Sequence, residues 1–149
     1  MDQESSKVSL HAIYDVIQDH WETVAKRVGP RSRRLMQIAD LPQADRDLYL
    51  VRDVVAITCN SGMIAWIQYH HDEPGWIEGA QESFTRIGHP KVSDGLGACV
   101  KVYLTKRTSL SFEDGWEQSS YVFKQEEEII RSLYRHLCLH HVAFARKKA

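Results

Sequence analysis

Between Ser6 and Val28 the apolar residues Leu10, Ile13, Ile17, Trp21, Val24 and Val28 return at steps of three and four. A strand alternates at every second residue, so this spacing describes one face of a helix with 3.6 residues per turn. Asp15, Asp19, Glu22 and Lys26 are left for solvent. Ser5 or Ser6 can cap the start, and Gly29-Pro30 ends the segment.

The same period recurs downstream. After a basic stretch, Arg31 to Arg34, Asp40-Leu41-Pro42 opens a second helix, with Asp40 as cap and proline in the first turn. Its stripe is Leu48, Val51, Val55 and Thr58, widened by Val54 and Ile57. These β-branched residues also suit a strand, and the helical stripe upstream favours a helix. Asn60-Ser61-Gly62 interrupts it, and Met63 to His70 restarts with Ile64, Trp66 and Ile67. Glu73-Pro74-Gly75 breaks the chain again before a helix from Trp76 to Ile87, with Ile77, Ala80, Phe84 and Ile87 on one face and Gly88 as its stop.

Lys91 to Leu104 reads as a further helix, weakened by Gly95 and Gly97 by about 1 kcal/mol each relative to alanine. Thr105 to Ser119 reads as a polar loop. Glu117 to Phe144 reads as one long helix, with Val122, Glu126, Ile129, Leu133, Leu137, His140 and Phe144 along one side. The tail Arg146-Lys147-Lys148 suits a helix C-terminus. The expected fold is therefore all-α: a single compact helical domain over 1–149, of five to seven helices, around Trp21, Ile57, Trp66, Phe84 and Leu133.

A chain of 149 residues fits one domain and buries about 70% of its unfolded surface, enough to fold without a disulfide or metal. Nineteen basic and twenty acidic residues give a formal charge of -1, so no overall field favours nucleic acid or an anionic membrane. Cys59, Cys99 and Cys138 are odd in number and form no CxxC pair, which suits free thiols in a reducing compartment. The acidic, polar Met1 to Ser6 is unlike a signal peptide, and no apolar run reaches the about 20 residues of a membrane span. A cytoplasmic protein is expected.

In Asn60-Ser61-Gly62-Met63, then Trp66-Ile67, then Ala80, Phe84 and Ile87-Gly88, the chain resembles the bacterial DNA-mimic protein family. That family comprises small all-helical proteins with an Asn-Gly-Gly turn, an aromatic-rich helix and a helix ending in Ile-Gly. Glu126, Ile129, Ile130, Leu133 and Leu137 follow in the same order, so about two-thirds of the chain is covered. The resemblance implies the helical fold and a role as a non-enzymatic protein-binding protein. By analogy it implies a stoichiometric inhibitor or immunity protein that masks a basic surface of a DNA-binding protein, nuclease or toxin.

Two charge clusters are candidates for such contacts. Asp72, Glu73, Glu78 and Glu82, followed by Glu113, Asp114 and Glu117, offer carboxylates to a basic partner, with Trp76 and Trp116 beside them as candidate anchors. Glu78 and Glu82 share a helix face and repel mildly. Lys26, Arg27, Arg31, Arg33 and Arg34 put five cations in nine residues and could grip phosphates, which makes a nucleic-acid-binding module an alternative. A solvated helix end explains the same residues.

Catalytic constellations are sparse. His136 and His140, one turn apart, could share a metal ion with His70, His71, Asp72 or Glu73 as distant partners, the basis of a small metal-dependent enzyme as a further alternative. No HExxH accompanies them, and ordinary surface or core histidines account for the pair. Cys59 or Cys99 could meet a histidine base, but nothing local activates either thiol, and packing cysteines are commoner. Gly95-Leu96-Gly97 lacks the flanks of a phosphate loop. No cofactor, catalytic residue or metal is expected; the expected partner is a basic protein, with a homodimer also open and no contact with membrane or nucleic acid.

Overall fold

The stripe of the first segment does form a helix, α1 (Leu10–Val28), and buries Ile13, Ile17, Val24 and Val28. The computed structural model describes residues 8–148, and side chains over 8–145, so the Ser5/Ser6 cap and the side chains of the 146–148 tail lie outside the described residues. Ser9 caps α1 instead, its Oγ accepting from the Ala12 amide at 3.1 Å. Gly29 closes α1 at φ 83°, where a Cβ would meet Arg33 O and Leu35 Cγ at 2.8 Å. Only glycine fits there.

Two 3-10 turns, Arg31–Arg33 and Ile38–Asp40, lead to α2 (Gln43–Ser61). Asp40 belongs to the second turn and does not cap α2; Pro42 occupies the cap position without a side-chain hydrogen bond. Leu48, Val51, Val54, Val55 and Thr58 are buried as the stripe requires, and Asp47, Tyr49, Leu50 and Asp53 are buried too. Burial on several sides follows from position, since α2 touches five other helices. Tertiary contact thus overrides the strand preference of its β-branched run.

The remaining helices are α3 (Met63–His70), α4 (Trp76–Arg86), α5 (Pro90–Lys106), α6 (Trp116–Lys124), α7 (Glu126–His140) and α8 (Val142–Lys148). Eight α-helices and no strand occur among the described residues, so the all-α, single-domain expectation holds, with one helix more than the upper expected number. The difference lies in the C-terminal third, where one long helix was expected. Gln125, at φ -101° and ψ 8°, separates α6 from α7, and extended His141 separates α7 from α8. The second break is held from far away, because His141 Nε2 lies 2.6 Å from Asp45 Oδ1 at the start of α2.

Trp66, Phe84 and Leu133 are fully buried at the centre, while Trp21 and Ile57 pack against the core from its edge. The glycines of α5 mark close approaches: a Cβ on Gly95 would stand 3.3 Å from Gln118 Cγ, and one on Gly97 3.1 Å from Gln81 Nε2.

Candidate functional site

The two opposed charge clusters meet each other. Arg34 donates from Nε and Nη2 to both oxygens of Glu73, at 2.6 and 3.1 Å, and from Nη1 to the Gly29 carbonyl at 2.6 Å. Arg31 reaches Asp72 at 3.0 Å, and Arg27 reaches Asp45 at 2.6 Å. Within the 26–34 basic cluster this leaves Lys26 and Arg33 with no carboxylate among the described residues.

Glu73 and Trp76 are parts of the fold. Glu73 Oε1 also lies 2.5 Å from His70 Nδ1. Burial pushes its carboxyl up, and the hydrogen bonds from Arg34 and His70 outweigh that and hold it below the usual carboxylate range. Trp76 is 3% exposed, stacks on His70 with ring centres 4.1 Å apart, and carries the Arg34 guanidinium 4.6 Å above its ring. It is therefore no surface anchor.

Glu78 and Glu82 remain exposed on α4, and neither forms an ion pair with a described residue. In the second acidic stretch, Asp114 staples its own loop. It accepts from Lys106 Nζ at 2.9 Å and from the Ser111 amide at 2.8 Å, which hold its carboxyl below the ordinary value. Glu113 and Glu117 on either side are exposed and form no ion pair with a described residue.

That stretch borders a groove of about 590 Å³. Phe112, Trp116 and Phe123 line it while exposing 88%, 59% and 65% of their surface. The groove is built by close packing of α6 on the α2–α3 turn. Ser119 Oγ accepts from the Met63 amide at 2.9 Å, and Gly115, at φ 74°, lies where a Cβ would stand 2.8 Å from Ile64 Cγ1. Of the residues singled out from sequence, Trp116 and Asp114 line this groove, and Glu113 and Glu117 are their neighbours in the chain. Phe112 and Phe123 were missed: Phe112 sits in a stretch read as polar loop, and Phe123 follows Val122 and falls off the buried stripe. The one signal was the spacing of Phe112 and Trp116, four residues apart amid polar residues.

The histidines are divided among separate partners. His136 Nε2 lies 2.8 Å from Asp47 Oδ2, and its ring centre is 4.6 Å from that of His140. Asp47, fully buried, also accepts from Ser83 Oγ at 2.6 Å and from Arg86 at 2.8 and 3.0 Å, so it ties α2, α4 and α7 together. His71 Nε2 pairs with the Tyr103 hydroxyl at 3.2 Å. No group of three or more His, Cys, Asp or Glu among the described residues is arranged to hold a metal ion. Burial pushes the Cys99 thiol up to about 12; burial and then nearby Glu126 push Cys59 up to about 11. Both thiols therefore stay protonated near neutral pH, the reverse of an activated nucleophile.

No described helix is long and apolar enough to cross a membrane. Comparison of the chain with protein families, with curated proteins and with solved structures found no match.

Proposed function

We propose that this chain is a non-enzymatic binding protein of the kind its resemblance to the DNA-mimic family implies: a stoichiometric inhibitor or immunity protein that masks a basic surface of a DNA-binding protein, nuclease or toxin. The observation that supports this most is the groove at α6. Three large aromatic rings stand largely in water, and Glu113 and Glu117, which pair with no described residue, are next to Phe112 and Trp116 in the chain. Aromatic anchors with a charged rim are the usual anatomy of a protein interface. The partner this fits has apolar side chains set among lysines and arginines. Glu78 and Glu82 on α4, exposed and paired with no described residue, supply further negative charge.

The test is to capture the partner from host extract and titrate the purified partner against variants. One anchor of this class contributes about 2 kcal/mol, about 30-fold in affinity, so Phe112→Ala with Trp116→Ala should weaken binding by at least that much. Both side chains are exposed, so the fold should be unaffected. Binding equal to that of the unaltered protein would remove the groove from the interface.

A further inference from the structure

We propose that a second cleft, lined by α1, α2 and α3, is a small-molecule site for a neutral carboxamide on a flat apolar body. Its volume is about 290 Å³, near the lower limit of ligand pockets, and it shares no lining residue with the α6 groove. Tyr49 and Asp53 stand one helical turn apart on α2 and both line this cleft, at 6% and 9% exposure. Asp53 Oδ2 accepts from Trp66 Nε1 at 2.9 Å, whereas its Oδ1 forms no hydrogen bond with a described residue. The Tyr49 hydroxyl forms none either, and neither oxygen is sealed from solvent. Buried polar groups are normally met. Asp47 and Glu73 in the same fold each take part in three or more hydrogen bonds.

The idle hydroxyl is held in place. The Tyr49 ring stacks on Trp21, with centres 5.5 Å apart, and meets Trp76 edge-on at 5.7 Å. Burial, with Asp53 adding to it, pushes the hydroxyl up to about 12, so it keeps its proton and can donate. The charges on the wall are already matched. Arg34 gives two hydrogen bonds to Glu73 and a third to the Gly29 carbonyl, and the His70 imidazole lies 3.5 Å from Asp53 Oδ2.

These neighbours select against an ion. An ammonium would meet Asp53 but share the cleft with Arg34 and lie near Arg52, whose guanidinium sits 4.1 Å over the Trp21 ring. A carboxylate would meet Arg34 but face Asp53. The two idle atoms call for a neutral group with a donor beside an acceptor. A primary carboxamide donates from its N–H to Asp53 Oδ1 and accepts at its carbonyl from the Tyr49 hydroxyl, whereas an alcohol must serve both from one oxygen. Ala25, Ile57 and Tyr69, the last 55% exposed, give the flat body its apolar wall.

The experiment follows the backbone amide resonances of the intact protein at pH 7 while benzamide, acetophenone, benzyl alcohol, benzylammonium and benzoate are added in turn. Acetophenone keeps the ring and carbonyl of benzamide and lacks its N–H. Benzamide should shift resonances around Tyr49, Asp53 and Tyr69, and each of the other four should bind about 10-fold more weakly or worse. Acetamide, which has the head group and no ring, should also lose about 10-fold or more. Tyr49→Phe keeps the ring packing and should weaken benzamide about 5-fold with little change in melting temperature. No binding of benzamide up to about 10 mM, where a fragment of nine heavy atoms should be held, overturns the site. Equal binding of all five ring compounds shows an apolar crevice without the two hydrogen bonds and overturns it too. Tighter binding of benzylammonium, benzoate or benzyl alcohol than of benzamide overturns the carboxamide assignment, and shifts confined to residues 110–123 overturn the location. The inhibitor reading does not depend on this cleft and stands or falls on partner binding alone.

Discussion

Arg34 holds Glu73 with two hydrogen bonds, at 2.6 and 3.1 Å, and so locks the segment after α1 to the turn between α3 and α4. Both side chains are largely buried, at 21% and 13% exposure, so the pair is screened less than a surface bridge. Removing one partner strands the other. Arg34→Met should cost about 2 kcal/mol at pH 7, read by urea unfolding.

The same pair has a pH signature. Glu73 is depressed in the fold, so the unfolded chain binds the extra proton first. The stability it contributes is full above its unfolded value of about 4.3 and is lost as pH falls through the lower folded value. The difference between Arg34→Met and the unaltered protein should therefore shrink by at least half at pH 3. A difference that stays constant with pH would show that Arg34 acts through packing on Trp76 alone.

Asp47 gathers Ser83, Arg86 and His136 with no exposure of its own. Its carboxyl is pushed up by burial and pulled down further by hydrogen bonds from His136, Arg86 and Ser83, so it too stabilises above its unfolded value and ceases to in acid. Asp47→Ala should cost about 3 kcal/mol and lower Tm by about 10 °C, with His136→Ala costing less because Arg86 and Ser83 remain. Calorimetry showing equal losses would place the weight of the cluster on His136.

Gly88 closes α4 at φ 94°, with the His89 amide donating to the Phe84 carbonyl at 2.8 Å and the Gly88 amide to Thr85 at 3.1 Å. A Cβ there would meet nothing within 4 Å, so a substitution pays only backbone strain. Gly88→Val should cost about 1–2 kcal/mol. An unchanged melting temperature would contradict the left-handed cap.

What the sequence makes legible is local. The stripe of α1, the stop at Gly29 and the cap at Gly88 follow from periods and glycines within a few residues. The helix break at His141 does not, because it depends on Asp45, 96 residues away. Nor does the fate of the tryptophans: Trp76 and Trp116 both follow a glycine and both start a helix, yet one lies under Arg34 against His70 and the other is 59% exposed. Charge clusters are visible in sequence as composition, but whether they face a partner or each other is decided by tertiary packing. Arg31 and Arg34 turn out to serve Asp72 and Glu73. The second acidic stretch survives as a candidate site because, among the described residues, only Asp114 within it is consumed internally.

The measurement that bears most directly on the inhibitor reading is the association rate of the captured partner at 0.05 M and 0.5 M salt. It would be taken for Glu113→Lys with Glu117→Lys, for Glu78→Lys with Glu82→Lys, and for Lys26→Glu with Arg33→Glu as control; Arg34 is left intact because it holds Glu73. Exposed charges steer encounter and contribute little to folding, so melting temperatures should stay put. The account predicts that the two glutamate pairs slow association by about 10-fold or more at low salt, that the effect fades at 0.5 M, and that the basic pair changes little. Loss of binding with the basic pair and none with either glutamate pair would contradict it and make the residues around 26–34 the site.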